Sequence, residues 1–153
     1  MQRFKTFIAE QSRAPLYHAT HTDNVHDTLK AGKIDPSENG HVSVSRSEHY
    51  AKGWSKVHWK IDHDKLKHHS KIQPTDWYMG GSHKNSPARH DDNERDTSLR
   101  RHESEESVKG PIPLKHVTHL SLSSDHTREE KRKIGKHVAQ YAPHIKIVSH
   151  KSN

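Results

Sequence analysis

Apolar residues in this chain are grouped in short runs in which they alternate with polar residues. Val42 and Val44 alternate with serines in "HVSVSRS", and Val57, Trp59 and Ile61 do so in "KVHWKID". A β-strand places successive side chains on opposite faces, so this alternation predicts short strands that bury one face only. Hydrophobic residues make up 27% of the chain, against roughly 45–50% in an average domain. The core that these strands cover must therefore be small.

Further strands are predicted around "LYHAT", over 108–114 with an interruption, at "HVTHLSLS" and at "HIKIVSH". In the last of these, Ile145 and Ile147 are expected to point inward. Three helices are indicated by caps and apolar spacing. They are a segment ending at Gly32, the segment "SEHYAKGW" capped by Ser47, and the segment "SSDHTREEKRKIGKHVAQYA" with its stripe of Ile134, Val138 and Tyr141.

These elements predict an α+β domain with about five or six short strands and three or four helices. We expect one domain over residues 14–153, preceded by a short helix or leader over 1–13. Residues 80–102 contain a single large aliphatic residue, Leu99, and are predicted to form a mobile loop.

The charge of the chain favours anionic partners. Lys and Arg number 26 against 19 Asp and Glu, which gives +7, and there are 18 histidines. Nucleic acid, nucleotides and acidic protein surfaces all fit this balance. The chain has no cysteine, which excludes disulfides and thiolate metal sites. No run approaches the ~20 apolar residues of a membrane span, so we expect a soluble, intracellular protein without membrane contact.

Three segments carry polar residues that a small core does not need: "LYHAT", "SVSRS" and "ESEE". In this order and spacing they resemble the ADP-ribosyltransferase superfamily. Its members have His or Arg on the first core strand, Ser, Thr or Tyr on or after the second, and Glu at the start of a later strand. The chain is most similar to the histidine-type branch, including small phage-encoded members with the pattern "YH-T", "S-S/T-R" and "E-EE-V".

The resemblance covers roughly residues 15–123. It implies a split pair of small, mainly antiparallel sheets with flanking short helices, and a cleft between them that takes NAD as co-substrate. NAD offers ribose hydroxyls, a pyrophosphate and a planar cationic ring. His18 can bond a ribose hydroxyl and Thr20 a second group, although a histidine at a strand end is often simply exposed.

Ser43 and Ser45 project from one side of their strand, so both can reach one ligand. Arg46 can bind a phosphate through its forked donors. The ordinary alternative is an amphipathic strand with one wet face. Tyr50 or Trp54 can stack on the nicotinamide ring, although a core position is the slightly better expectation for Trp54.

The three glutamates at 103, 105 and 106 are the candidate catalytic residues. Cleavage of the bond to nicotinamide passes through an oxocarbenium-like state that a carboxylate stabilises. The family pattern favours Glu105 or Glu106, and we place Glu105 first, then Glu106 and Glu103. The alternative is a solvated acidic cluster that balances the preceding arginines.

The segment "FKTFIAE" resembles the leader segments of tailed-bacteriophage head proteins, which are cleaved after Ile/Leu-x-Glu. Ile8, Ala9 and Glu10 fit this tripeptide. A short helix is the more ordinary expectation. The leader interpretation implies a virion protein that reaches the host cytoplasm.

The sequence therefore predicts a monomeric mono-ADP-ribosyltransferase of the glycosyltransferase class that uses NAD to modify a protein or nucleic acid of the host. The short length disfavours polymer synthesis. Two alternatives stay open: a non-enzymatic nucleic-acid-binding protein, and an NAD-dependent enzyme similar to RNA 2′-phosphotransferases. No metal site is predicted, because the His and Asp clusters lack fixed ligand spacing.

Overall fold

The computed structural model describes residues 15–74 and 105–152. The side chains of Gln73, Pro74 and Glu105 are outside this description. Two predicted regions, the N-terminal leader or helix at 1–13 and the loop at 80–102, also lie outside it, as does Glu103.

Within the described residues the chain forms nine strands, four α-helices and two short 3₁₀ helices. The strands are β1 (Leu16–Thr20), β2 (Lys33–Ile34), β3 (His41–Ser45), β4 (Val57–Ile61), β5 (Ile72–Pro74), β6 (Glu105–Lys109), β7 (Ile112–Pro113), β8 (Val117–Ser123) and β9 (Lys146–His150). The α-helices are α1 (Val25–Ala31), α2 (Glu48–Trp54), α3 (His63–Leu66) and α4 (Arg128–Tyr141), and the 3₁₀ helices are Thr22–Asn24 and Leu114–His116.

Seven strands form the main sheet, in the order β5–β6–β3–β1–β4–β8–β9. Neighbouring strands are antiparallel except β8 and β9, which are parallel. β2 and β7 form a separate antiparallel pair. The predicted α+β class, with mainly antiparallel strands and short flanking helices, is confirmed. The strand number was underestimated because strands of two or three residues, such as β2, β5 and β7, are too short to show a period.

Local sequence signals explain where the helices begin and end. Gly32 ends α1 in the left-handed region at φ 75°, a conformation that only glycine adopts without strain. Ser47 caps α2 by accepting a hydrogen bond from the backbone N–H of Tyr50. Thr127 and Glu130 form a reciprocal capping box at the start of α4, which satisfies two backbone donors. The helix ends at Gly32 and Ser47 agree with the sequence prediction.

The core lies on one face of the main sheet. Leu16, Trp59 and Leu120 are completely buried there, and Ile134 and Val138 of α4 belong to the same cluster. The other face is contacted by α2, which packs against β1, β3 and β4.

Three expectations about burial were wrong. Ile147 is 39% exposed, because β9 is the edge strand and has a neighbour on one side only. Tyr141, placed in the apolar stripe of α4, is 37% exposed because it is the last residue of the helix. Trp54, expected in the core, is 68% exposed at the end of α2.

Among the described helices, none is both long and apolar enough to span a bilayer.

Candidate active site

The site lies where strands β1 and β3 separate. Along the described lengths of these two strands, pairing is limited to Tyr17 and Ser45, whereas β1 pairs with β4 at five positions. Beyond this position the two strands are joined by a side chain, since Nδ1 of His18 lies 2.7 Å from the carbonyl oxygen of Ser43. The gap in the strand pairing leaves room for a ligand in the middle of the sheet.

A cavity of about 980 Å³ occupies this gap. Its size is at the upper end of the range for small-molecule sites, which is roughly 300–1,000 Å³. Six of the seven residues predicted to bind a cofactor line it, and the seventh, Arg46, is not among the lining residues. The six are His18, Thr20, Ser43, Ser45, Tyr50 and Trp54.

The hydrogen bond of His18 fixes its tautomer. A carbonyl oxygen only accepts, so Nδ1 of His18 carries the proton and donates it to Ser43. Burial lowers the pKa of His18, and the hydrogen bond to Ser43 opposes this shift only partly. The imidazole is therefore neutral at pH 7, and its Nε2 is a hydrogen-bond acceptor.

The two serines of β3 differ in environment. Ser43 is exposed and Ser45 is 3% exposed. Oγ of Ser45 accepts a hydrogen bond from the backbone N–H of Ser47, at 2.9 Å. Ser45 therefore helps to position the start of α2 in addition to lining the cavity.

Helix α2 forms one wall of the cavity. The rings of Tyr50 and Trp54 are edge to face, with centroids 6.1 Å apart. The hydroxyl of Ser55, just after the helix, donates a hydrogen bond to the carbonyl oxygen of Thr20. This bond ties the end of the helix to β1, so both ends of α2 are fixed to the strands that border the cavity.

Glu106 is buried but does not line the cavity. Its side chain is 8% exposed, and Oε1 lies 3.4 Å from Nε of Arg46. The guanidinium that was predicted to bind phosphate therefore forms an ion pair within the protein.

Glu105 occupies a different row of the sheet. Its backbone pairs with Ser45, which in turn pairs with Tyr17. Because directly opposed residues share one face of a sheet, position 105 belongs to the row that contains two cavity-lining residues. Glu106 belongs to the neighbouring row, opposite Val44.

The comparisons with known proteins identify the fold. No protein-family model matches the chain, and no curated protein matches it. DarT from Thermus sp. 2.9 in complex with carba-NAD⁺ superposes with a TM-score of 0.62 at 14% identity, covering 90% of this chain and 96% of that one. The fold is that of the DarT ADP-ribosyltransferases.

Other solved structures agree. The same Thermus DarT in complex with ADP-ribosylated ssDNA gives a TM-score of 0.57 at 13% identity, over 92% of this chain and 98% of that one. DarTG from Thermosipho africanus in complex with ADP-ribose gives 0.55 at 12% identity, over 90% of this chain and 50% of that one. The predicted ADP-ribosyltransferase-like fold class is thereby confirmed. In the DarT-like fold of this chain, the cavity lies at the separation of β1 and β3.

The sequence analysis missed Tyr17 and His58 as parts of the site. Tyr17 lines the cavity, and its ring meets that of His58 edge to face at 5.6 Å. His58 is completely buried, and its Nε2 lies 3.1 Å from Oε2 of Glu48 at the start of α2. The alternation of β4 had assigned His58 to the polar face. The packing of α2 on that face, together with the ring of His150 at a centroid distance of 4.8 Å, explains its burial, and no local pattern indicates either contact.

Burial raises the pKa of Tyr17, and the carboxylate of Glu48 raises it further. Burial lowers the pKa of His58, and the hydrogen bond that its Nε2 donates to Glu48 opposes this shift only partly. Both side chains are therefore neutral at pH 7. In the part of the chain that the structure describes, no three His, Asp or Glu side chains are placed to share a metal ion.

Proposed function

We propose that this chain is an NAD-dependent ADP-ribosyltransferase that transfers a single ADP-ribose to a macromolecular acceptor. The observation that carries the proposal is the cavity at the separation of β1 and β3, lined by six residues that the sequence predicted for a dinucleotide. Its support is the fold, since similar structures hold NAD⁺ and carba-NAD⁺.

The chemistry of the lining suits NAD. Neutral His18 offers Nε2 as an acceptor for a ribose hydroxyl, while Thr20 and Ser43 add hydroxyl groups at the same cavity. Tyr50 and Trp54 supply flat surfaces for a ring. We assign these residues to NAD binding, with Ser45 at the junction of strand and helix. Arg46, in contrast, positions Glu106, because its guanidinium is paired with that carboxylate.

We assign the catalytic carboxylate to Glu105. The bond between the ribose C1′ and the nicotinamide nitrogen breaks, nicotinamide leaves with the bonding electrons, and an acceptor oxygen or nitrogen bonds to C1′. A carboxylate stabilises the positive charge that develops on the ribose and takes the proton that the acceptor loses. Glu105 lies in the same cross-strand row as Ser45 and Tyr17, whereas Glu106 is already paired with Arg46.

Nucleic acid is the acceptor that we favour over protein. The net charge of +7 suits a polyanion, and one structure with this fold is a DarT in complex with ADP-ribosylated ssDNA. The alternative of an RNA 2′-phosphotransferase-like enzyme is weaker, because it needs free arginines at the phosphate and Arg46 is paired with Glu106.

The experiment that tests the function is incubation of the purified chain with NAD, in separate reactions with single-stranded oligonucleotides and with a cell lysate. Mass spectrometry would detect the added ADP-ribose mass. We expect Glu105→Gln to reduce transfer by about 10²–10⁴-fold. Glu106→Gln should instead reduce stability while the folded fraction keeps its activity within about tenfold. If no acceptor gains ADP-ribose, the proposed function is rejected. If Glu105→Gln keeps full activity, the assignment of Glu105 as the catalytic carboxylate is rejected.

We also propose that the protein is a monomer of phage origin, packaged in the virion and active in the host cytoplasm. The phage origin and the packaging in the virion rest on the tripeptide Ile8, Ala9 and Glu10. Mass spectrometry of the virion protein should show an N-terminus at Gln11. A virion protein that still begins at Met1 would contradict the proposed cleavage.

A further inference from the structure

A row of basic residues continues from the cavity wall across the main sheet. Tyr17 of β1 is opposite Lys60 of β4, Lys60 is opposite His119 of β8, and His119 is aligned with Lys146 of β9. Directly opposed residues share a face. The basic row, defined as Lys60, His119 and Lys146, therefore lies on the same face as Tyr17 and next to it.

This face is the one opposite the core. Trp59 and Leu120, which neighbour Lys60 and His119 along their strands, are completely buried. Because side chains alternate along a strand, the basic row points away from that core. Lys146 is exposed, and Lys60 and His119 are partly exposed.

No described carboxylate is paired with the basic row. Burial lowers the pKa of His119, and the positive charges of Lys60 and Lys146 lower it further. Within residues 15–74 and 105–152, no salt bridge involves any of the three side chains. Two lysines thus flank a neutral imidazole. The strands of Lys60 and Lys146 are two strand spacings apart, which is about 10 Å at about 4.8 Å per spacing.

Hydrogen bonds hold this part of the sheet in place. The hydroxyl of Thr118 donates to the carbonyl oxygen of Lys60, at 3.3 Å, and its oxygen accepts from Nδ1 of His119, at 2.8 Å. These two bonds hold the imidazole of His119 in place next to Lys60.

We propose that Lys60 and Lys146 bind the phosphates of a single-stranded nucleic acid whose reacting nucleotide lies at the cavity beside Tyr17. The proposal rests on the proposed function, because it assigns a surface to its acceptor. Lysines supply affinity for phosphate backbones, whereas protein interfaces are depleted in lysine and enriched in aromatic residues and arginine. The composition of the row therefore favours a nucleic acid over an acidic protein.

The test is binding of a fluorescein-labelled single-stranded oligonucleotide, measured by anisotropy over a range of salt concentrations without NAD. The double variant Lys60→Gln/Lys146→Gln should bind roughly tenfold more weakly. The slope of log K against log salt should become shallower by about 1.4, since each phosphate contact on a single strand contributes about 0.7.

The matched control is Lys133→Gln/Lys136→Gln, which removes the same charge from exposed positions of α4 on the core side of the sheet. We expect it to change the affinity less than about twofold. Equal losses in both double variants, or no loss in either, would overturn the proposal. Polyglutamate serves as an acidic-protein ligand for comparison. The proposal would also be overturned if the row variant bound polyglutamate more weakly while its affinity for the oligonucleotide stayed unchanged.

The same proteins separate this proposal from the function itself. If the wild-type chain binds the oligonucleotide through the row but transfers no ADP-ribose to any acceptor, the transferase proposal fails and the surface stands. If transfer occurs but the row variant modifies the oligonucleotide with unchanged KM, the surface fails and the transferase stands.

Discussion

The two ring nitrogens of His18 have different environments. Nδ1 donates to the carbonyl oxygen of Ser43 across the separation of β1 and β3. This bond leaves Nε2 as an acceptor at the cavity. A structural role and a ligand-binding role are therefore compatible in one side chain, and substitutions can separate them.

Two substitutions of His18 should have different effects on stability. His18→Ala removes the bond to Ser43 and should lower the free energy of unfolding by about 1 kcal/mol. His18→Asn can keep a donor for Ser43 and should be closer to the wild type. Both lose the Nε2 acceptor, so both should bind NAD roughly three- to tenfold more weakly. Calorimetric titration with NAD and urea denaturation measure the two quantities, and wild-type NAD affinity in both variants would contradict the ligand role.

At the residue scale, the sequence could identify which polar side chains gather but not all of their contacts. The resemblance of three short motifs to the ADP-ribosyltransferase superfamily was sufficient to select His18, Thr20 and the serines of β3, all of which line the cavity. The pairing of Arg46 with Glu106 depends on the register between β3 and β6. β3 ends at Ser45 and β6 begins at Glu105, and no local pattern specifies how such distant segments align.

Helix α2 is the element on which the site depends most. It has only two turns, so it has little stability of its own. Its start is held by the Ser47 cap and its end by the bond between Ser55 and Thr20. It also carries Tyr50 and Trp54 to the cavity. Loss of a cap should therefore affect ligand binding as well as stability.

Replacing the caps of two helices should separate these effects. Ser47→Ala and Thr127→Ala should each cost about 1 kcal/mol of stability. Only Ser47→Ala should weaken NAD binding, by up to about fivefold, because α2 lines the cavity and α4 does not. Equilibrium unfolding and NAD titration of both variants test this. An equal loss of NAD affinity in Thr127→Ala would show that general destabilisation, and not the helix at the cavity, is responsible.

The elements themselves were predictable where the period was long enough. Alternation located β3, β4 and β8, and caps located α1, α2 and α4. The alternation could not show that β9 lies at the edge of the sheet, and for this reason Ile147 is more exposed than predicted. It also could not show which polar face α2 covers, so the burial of His58 was missed.

At the scale of the whole molecule, His58, His116 and His150 are among the described histidines that are buried without full hydrogen bonding. His58, His116 and His150 are at most 8% exposed. Nδ1 of His58, Nε2 of His150 and both ring nitrogens of His116 have no hydrogen-bond partner among the described residues. Burial lowers the pKa of all three from the ordinary value of 6.5. The fold therefore favours their neutral forms.

This burial predicts a loss of stability in acid. The unfolded chain binds protons on these histidines near pH 6.5 while the folded chain does so only at lower pH. Stability is thus full above pH 6.5 and falls as the pH drops towards the lowered folded values. Each group contributes at most about 1.4 kcal/mol per pH unit.

Thermal unfolding between pH 7.5 and 5 measures this dependence. His58→Gln keeps an amide donor for Glu48 and removes one titrating group, so its melting temperature should fall less steeply with acid. A melting temperature that rises as the pH drops from 7 to 5 would contradict the role of the buried histidines.

The overall architecture could be predicted only through resemblance. Three short segments in the right order indicated the fold class, which the comparison with DarT structures confirms. The order of the seven strands depends on which strands pair although they are distant in the sequence. For example, β1 pairs with β3 although three elements separate them along the chain. Composition and periodicity carry no information on the pairing of distant strands.

The single paired position between β1 and β3 has a mechanical consequence. It divides the main sheet into a three-stranded block, β5–β6–β3, and a four-stranded block, β1–β4–β8–β9. Each block is internally joined by several pairs of strands in register, so small rotations between them cost few backbone hydrogen bonds. Opening or closing of the gap would leave the register within each block unchanged, and the contacts that would resist it are the bond between His18 and Ser43 and helix α2, which is tied to both strands.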